Sequence, residues 1–132
     1  MSQEALEIVR QVAERWNAQD IDGLFDLYHD DMVVMTGEHW PDGNAVMEGK
    51  QRFRESTQEW LDVWQSVHVE TDAVEAYGDR VVAHGNWVTK GRVSGMEGTM
   101  AIHIVFTVRD GRIARVEWFS DNDSAVAAAR DA

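Results

Sequence analysis

The spacing of apolar residues divides the chain into a helical first part and a β-rich second part. Over residues 3–17 the apolar positions form one stripe, with Glu and Arg on the opposite side, which predicts an amphipathic helix. Asp20 suits the N-cap of a second, short helix over 21–28, and a third helix is predicted over 49–64. The β-branched run 32–36 predicts a strand between these two helices.

From Val67 onward the pattern changes to a period of two, which is typical of strands with one buried face. The turn pair Gly78-Asp79 separates this strand from another over 81–89. The pair Asp110-Gly111 joins the two strands of a last hairpin over 101–121. The second part of the chain is therefore predicted to be an antiparallel meander.

The Asp110-Gly111 turn predicts the register of the last hairpin. A two-residue turn leaves no slack, so Arg109 opposite Arg112 would set His103 opposite Trp118. One face would then carry Ala101, His103, Val105, Val116, Trp118 and Ser120. The other face would carry Ile102, Ile104, Phe106, Arg115, Glu117 and Phe119.

The face shown by the strand over 81–89 depends on the turn near Ser94. If Ser94-Gly95 is a two-residue turn, His84 and Asn86 share the face of His103. A three-residue turn would expel both residues from that face and bring in Trp87. The sequence leaves these two registers open.

The composition limits the class of partner. The chain has 132 residues, with 24 acidic and 12 basic side chains and a formal net charge of −12. No Lys or Arg cluster offers a site for nucleic acid or an anionic membrane. The chain has no cysteine, and its acidic start and lack of a long apolar run lead us to expect a cytoplasmic protein. We expect one domain over 1–132.

Several segments together resemble the NTF2-like superfamily and, within it, the SnoaL-like group. They are 16–31, 48–50, 78–82 and 108–113, with the aromatic pair Trp118-Phe119 just before Asp121. The resemblance implies an α+β cone in which three N-terminal helices pack on a curved mixed or antiparallel sheet and enclose a pocket, usually in a homodimer. The superfamily includes steroid isomerases, polyketide cyclases, epoxide hydrolases and dehydratases, so the fold does not choose a reaction.

The ketosteroid isomerase pattern fits this chain poorly. Thr36 stands where those enzymes have their acidic base, and Val12 stands where they have a helix-one tyrosine. His103 stands at the position of their protonated carboxylic acid. Isomerisation by that set of residues is therefore not expected.

The predicted pocket face brings two histidines together among apolar and aromatic residues. His103 and His84 are candidates for a general acid and base, because histidine titrates near neutral pH. The alternative is that each is a hydrogen-bonded core histidine. Candidate substrate-binding residues come from the same face and from the helices: Trp118, Asn86, Thr36, Trp16, Tyr28, Trp60, Trp64 and Ser120.

A metal site or another cofactor is not predicted. His84 and His103 would supply two ligands, but no third histidine or acid reaches the same face in the predicted register. We therefore expect the cavity to take a small, flat, apolar molecule.

The second face of the hairpin is too apolar to be left to solvent. We expect it to form a symmetric homodimer through Trp87, Ile102, Ile104, Phe106 and Phe119.

Two functions of different class follow from these patterns. The first is an enzyme that moves a proton on a cyclic or polyketide-like metabolite through His103 and His84, with Asn86 or Thr36 orienting a carbonyl. The second is a non-catalytic module that uses the same cavity to hold a hydrophobic ligand. A purely structural dimerisation domain, with its cavity filled by its own tryptophans, is a third alternative.

Overall fold

The computed structural model describes residues 2–35, 46–62, 64–91, 97–119 and 121–130. Within these ranges the chain forms α1 (Ser2–Asn17), α2 (Ile21–Phe25), β1 (Tyr28–Met35), β2 (Val46–Glu48), α3 (Lys50–Asp62), β3 (Trp64–Tyr77), β4 (Arg80–Gly91), β5 (Glu97–Arg109), β6 (Arg112–Phe119) and α4 (Asn122–Arg130). The predicted α+β fold is confirmed. The helices of the described part are too short or too polar to cross a lipid bilayer.

The six strands form one open mixed sheet in the order β2-β1-β6-β5-β4-β3. Strands β1 and β6 run parallel, and all other neighbours run antiparallel. Helices α1, α2 and α3 contribute to the main core on one face, which we call the inner face. Helix α4 packs on the opposite, outer face.

Helix α2 is shorter than the apolar pattern predicted. Asp20 caps it as expected, with Oδ1 accepting a hydrogen bond from the Gly23 backbone N–H at 3.0 Å. The helix ends at Phe25, however, and Tyr28 is the first residue of β1. The Leu27 carbonyl accepts a hydrogen bond from the Ile113 N–H at 2.8 Å, which ties this segment to the sheet. Tyr28 is therefore positioned by a strand.

Two other boundaries differ from the sequence pattern. The third helix ends at Asp62, and Trp64 begins the long strand β3. The short strand β2, which the sequence did not predict, pairs antiparallel with β1 and places Met47 opposite Val34. Both changes move residues from the predicted helices and loops into the sheet.

A one-residue bulge in β6 changes the register of the last hairpin. Arg109 pairs with Arg112 as the turn predicts, and Val108 pairs with Ile113. Thr107 then pairs with Arg115, so Ala114 has no partner in β5. From there on, Ile104 is opposite Trp118 and His103 is opposite Phe119. The predicted pairing of His103 with Trp118 is wrong, because an extra residue reverses the faces.

A second irregularity, in β3, has the same effect at the other side of the sheet. Ala73 pairs with His84, as predicted, but Thr71 pairs with Gly85 instead of Asn86. Asp72 is the unpaired residue. Thr71 and Ala73 therefore lie on opposite faces, although they are two positions apart.

The two bulges decide which face of the central strands meets the helices. Trp87, Ile102, Ile104 and Phe106 belong to the main core and line the space beneath α1, so the prediction that they form an outer dimer surface is wrong. The predicted pocket residue Val105 instead packs on the outer face with α4. Phe119, the fifth residue of the predicted patch, lies on the outer face, and a homodimer remains a prediction.

The register of β4 with β5 pairs His84 with His103 and Asn86 with Ala101. A two-residue turn at Ser94-Gly95 would have set His103 opposite Asn86, two residues from its actual partner His84. The two registers differ by two residues, which is an even number. His84, Asn86 and His103 therefore still share one face of the sheet, but it is the outer face. The turn near Ser94 that was to decide this lies outside the described residues.

Candidate functional site

A cavity of about 250 Å³ lies between the helices and the inner face of the sheet. From the helices it is lined by Val9, Arg10, Val12, Ala13, Glu14, Trp16, Leu24, Phe25, Phe53 and Thr57. From the strands it is lined by Tyr28, Val69, Thr71, Val74, Ala83, His84, Trp87, Ile102, Ile104, Phe106, Val116 and Trp118. Most of these side chains are apolar, so the cavity favours an apolar occupant.

Three tryptophans form a continuous aromatic part of the wall. Trp87 and Trp118 are stacked, with ring centroids 6.1 Å apart and ring planes at 16°. Trp16 meets Trp87 edge-on at 4.8 Å. All three are buried. The broad faces of indole rings suit a flat ligand, because stacked and edge-on contacts both require planar partners.

Two hydroxyl groups interrupt the apolar wall. Tyr28 is only 4% exposed and Thr57 only 7% exposed. The Tyr28 ring packs against Phe25 and Phe53, with centroids 5.5 and 5.7 Å away. Burial raises the pKa of Tyr28 well above its ordinary value of 10.0. Its phenol is therefore protonated at neutral pH and is able to donate a hydrogen bond.

Helix α1 contributes the charged groups of the cavity. Arg10 and Glu14 lie one turn apart on α1, and both are exposed while also lining the cavity. They therefore mark the side on which the cavity approaches solvent.

The two histidines form a pair on the sheet. Nδ1 of His84 lies 3.2 Å from Nδ1 of His103, and both residues are half-buried. A hydrogen bond between these atoms requires one ring to donate its N–H and the other to accept with an unprotonated nitrogen. The backbone of β4 at His84 borders the cavity, while the His84 ring that meets His103 lies on the outer face with Val82 and Val105. The predicted pair exists, but its two rings lie on the face of the sheet opposite the cavity.

Asp121 lies near His103, just after β6. Its carboxylate caps α4, accepting hydrogen bonds from the Ser124 N–H at 2.7 Å and from the Ser124 hydroxyl at 3.1 Å. These bonds, with a smaller contribution from His103, lower the pKa of Asp121 from its ordinary value of 3.8. The local capping role is sufficient to explain an acid at this position.

The structure separates the predicted substrate-binding residues into three groups. Trp118, Trp16 and Tyr28 line the cavity. Trp64 instead lines a smaller space of about 130 Å³, which it shares with Trp16 and Leu61. Asn86 pairs with Ala101 on the outer face and is absent from the lining. Thr36, Ser120 and the side chain of Trp60 lie outside the described residues.

No group of three His, Asp or Glu side chains with a geometry suited to a metal ion occurs in the part of the chain that the structure describes.

Comparisons with known proteins agree with this fold. Residues 9–116 match the SnoaL-like domain family. The chain belongs to the SnoaL-like family. The predicted SnoaL-like resemblance is confirmed, and the chain has the fold of a solved NTF2-like protein. None of the curated proteins matches the sequence.

Solved structures similar to this SnoaL-like chain are distant in sequence. A candidate polyketide cyclase from Xanthomonas campestris has a TM-score of 0.80 at 20% identity, covering 96% of both chains. TerC, co-crystallised with polyporic acid, has a TM-score of 0.77 at 20% identity, covering 98% of this chain and 99% of its own. AclR of Streptomyces galilaeus, a candidate hydroxylase, has a TM-score of 0.75 at 13% identity, covering 90% and 79%. At these identities the likeness establishes the fold alone.

Sequence reasoning missed most of the central sheet residues of this SnoaL-like cavity, notably Ile102, Ile104 and Ala83, and left the face of Trp87 open. One signal was present. Gly85 interrupts a strand of otherwise larger residues, and an isolated glycine in a strand often marks a bulge or a close backbone approach. In the structure, a Cβ atom on Gly85 would lie 2.1 Å from the Glu70 carbonyl oxygen, beside the bulge at Asp72.

Proposed function

We propose that this SnoaL-like protein binds a small, flat, cyclic metabolite of the polyketide type in its cavity. The observation that carries the proposal is the aromatic wall formed by Trp16, Trp87 and Trp118 around a space of about 250 Å³. A dry apolar cavity of roughly 150 Å³ is large enough for benzene. The space here therefore suits a ligand larger than one ring.

The similar structures support the ligand class. The Xanthomonas campestris protein is named for polyketide cyclisation, and TerC was crystallised with polyporic acid. Those names apply to those proteins, and they favour a cyclic ligand here over a linear one.

Proton transfer by the two histidines is a second candidate, and it comes from the sequence pattern. The rings of His84 and His103 meet at 3.2 Å on the outer face, whereas the cavity lies on the inner face. A ligand inside the cavity would therefore contact neither imidazole ring, and the geometry favours binding over proton transfer by this pair.

The binding proposal is tested by filling the cavity. Ala13→Phe places a ring in the lining from α1, and Ala101→Phe places the same ring on an exposed position of β5 as a matched control. Native mass spectrometry of protein purified from its own host should show a co-purifying small molecule on the wild type and on Ala101→Phe, and none on Ala13→Phe. Equal loading of all three, or no bound molecule on any of them, would contradict the proposal.

The catalytic candidate needs a second measurement. The recovered compound, or a naphthyl ketone in its place, is incubated in D₂O with wild type and with His84→Gln. Deuterium incorporation next to the carbonyl by the wild type alone supports proton transfer by His84. Incorporation equal to the protein-free rate in both samples, with binding retained, supports the non-catalytic module.

A further inference from the structure

Tyr28 presents a hydrogen-bond donor to the cavity. Its residue is 4% exposed, it lines the cavity, and its ring is held by Phe25 and Phe53 on two sides. No hydrogen-bond partner for its hydroxyl occurs among the described residues. This unbonded hydroxyl is not fully enclosed by protein atoms, so part of its surface is accessible. The accessible space next to this buried residue is the cavity.

Thr57 supplies a second hydroxyl on the same wall. It is the one polar residue among the buried residues of the described chain, apart from the phenol of Tyr28. Thr57 lies one helical turn after Phe53 on α3, and the Phe53 ring contacts Tyr28 at 5.7 Å. A threonine inside a helix commonly bonds a carbonyl of the preceding turn. Here the described residues include no such partner for Thr57.

Two hydroxyls without a partner among the described residues become costly when a ligand displaces water from an otherwise apolar wall. A buried donor without an acceptor loses the hydrogen bond that it makes to water when it is exposed. An apolar ligand that expelled water from the cavity would leave this cost in place. A ligand whose oxygen acceptor lies next to the two hydroxyls would remove this cost. The same ligand bound in the reverse orientation would not.

We propose that the Tyr28 and Thr57 hydroxyls form a polar end of the cavity and orient the ligand by hydrogen bonds to its carbonyl or phenolic oxygen. This inference rests on the proposed function and adds the chemical class to it: the ligand is an oxygenated ring system and not a pure hydrocarbon. Tyr28 acts as the donor, because its raised pKa keeps the phenol protonated. Thr57 is able either to donate or to accept.

The test uses two probes of nearly the same shape, 2-acetylnaphthalene and 2-ethylnaphthalene, which differ in the carbonyl oxygen. Binding is measured by quenching of tryptophan fluorescence for wild type, Tyr28→Phe and Thr57→Val. Both substitutions remove a hydroxyl and keep the side-chain shape. Tyr77→Phe is the matched control, because Tyr77 lies outside the cavity lining and bonds Glu75 at the surface.

We expect the wild type and Tyr77→Phe to prefer the ketone by about tenfold, the effect of one buried hydrogen bond. Tyr28→Phe should reduce this preference to about twofold or less, and Thr57→Val should reduce it in the same direction, with the affinity for the ethyl probe unchanged. Wild-type binding of both probes without preference would overturn this inference alone. A preference that survives in both variants would do the same. A wild type that binds neither probe would overturn the proposed function as well.

Discussion

Nδ1 of His84 and Nδ1 of His103 lie 3.2 Å apart on the outer face of the sheet, with their rings at 60°. The cross-strand pairing of the two residues produces this contact. His103 therefore has a structural reason to be a histidine that is independent of any ligand.

Replacing His103 should affect stability more than binding. We expect His103→Ala to lower the free energy of unfolding by about 1 kcal/mol, because one half-buried hydrogen bond is lost. The affinity for a naphthyl probe should stay within about twofold of the wild-type value, because the contacts in the cavity are left intact. Urea unfolding and fluorescence titration measure the two effects, with Ile104→Ala as the comparison that does reach the cavity. If His103→Ala loses as much binding as Ile104→Ala, His103 does contribute to the ligand site.

Deleting Ala114 should disrupt the hairpin of β5 and β6. Without the extra residue, Val116 and Trp118 would rotate to the outer face, and each buried apolar side chain that is exposed costs roughly 2 kcal/mol. Near-UV circular dichroism, which reports on fixed tryptophan surroundings, should show the loss. Ala114→Ser keeps the residue count and should retain the signal. A deletion variant with an unchanged spectrum would contradict the bulge.

Gly85→Ala should be more harmful than an ordinary glycine replacement in a strand. The new methyl group would meet the Glu70 carbonyl oxygen at 2.1 Å, so β3 and β4 must move apart. We expect a loss of about 1–3 kcal/mol or more in the free energy of unfolding. Gly98→Ala is the control, since its methyl group would meet only the Thr89 hydroxyl, at 3.3 Å. Equal stability of the two variants in guanidinium titration would argue against the close approach.

The cap of α4 should make stability depend on pH in the acidic range. The pKa of Asp121 is lowered in the folded protein, chiefly by the two bonds from Ser124, so the folded state favours the charged carboxylate. Its contribution is therefore fully present above the unfolded pKa, about 4. It is lost as the pH falls through the lower folded value. The difference in unfolding midpoint between wild type and Asp121→Ala should be largest at neutral pH and shrink below about pH 4. A constant difference down to pH 2 or so would contradict the assignment.

Local signals in the sequence were enough for the helices and turns. The stripe over 3–17 became α1, Asp20 became an N-cap, and Asp110-Gly111 formed a turn with positive φ at both residues. These features depend on neighbours within a few positions, which the sequence displays directly. The segments that resemble the SnoaL-like group belong to the same class of signal, and they identified the family.

The faces of the central strands were decided only by the tertiary structure. Side chains alternate along a strand with a period of two, so each unpaired residue exchanges the inner and outer sets. Ala114 and Asp72 each do this, and together they turn Trp87 and Ile104 toward the cavity and His103 away from it. A bulge is stabilised by the packing of whole strands against α1 and α4, over distances that no local pattern spans. The sequence by itself therefore determined the elements and the family, and the packing determined which residues form the site.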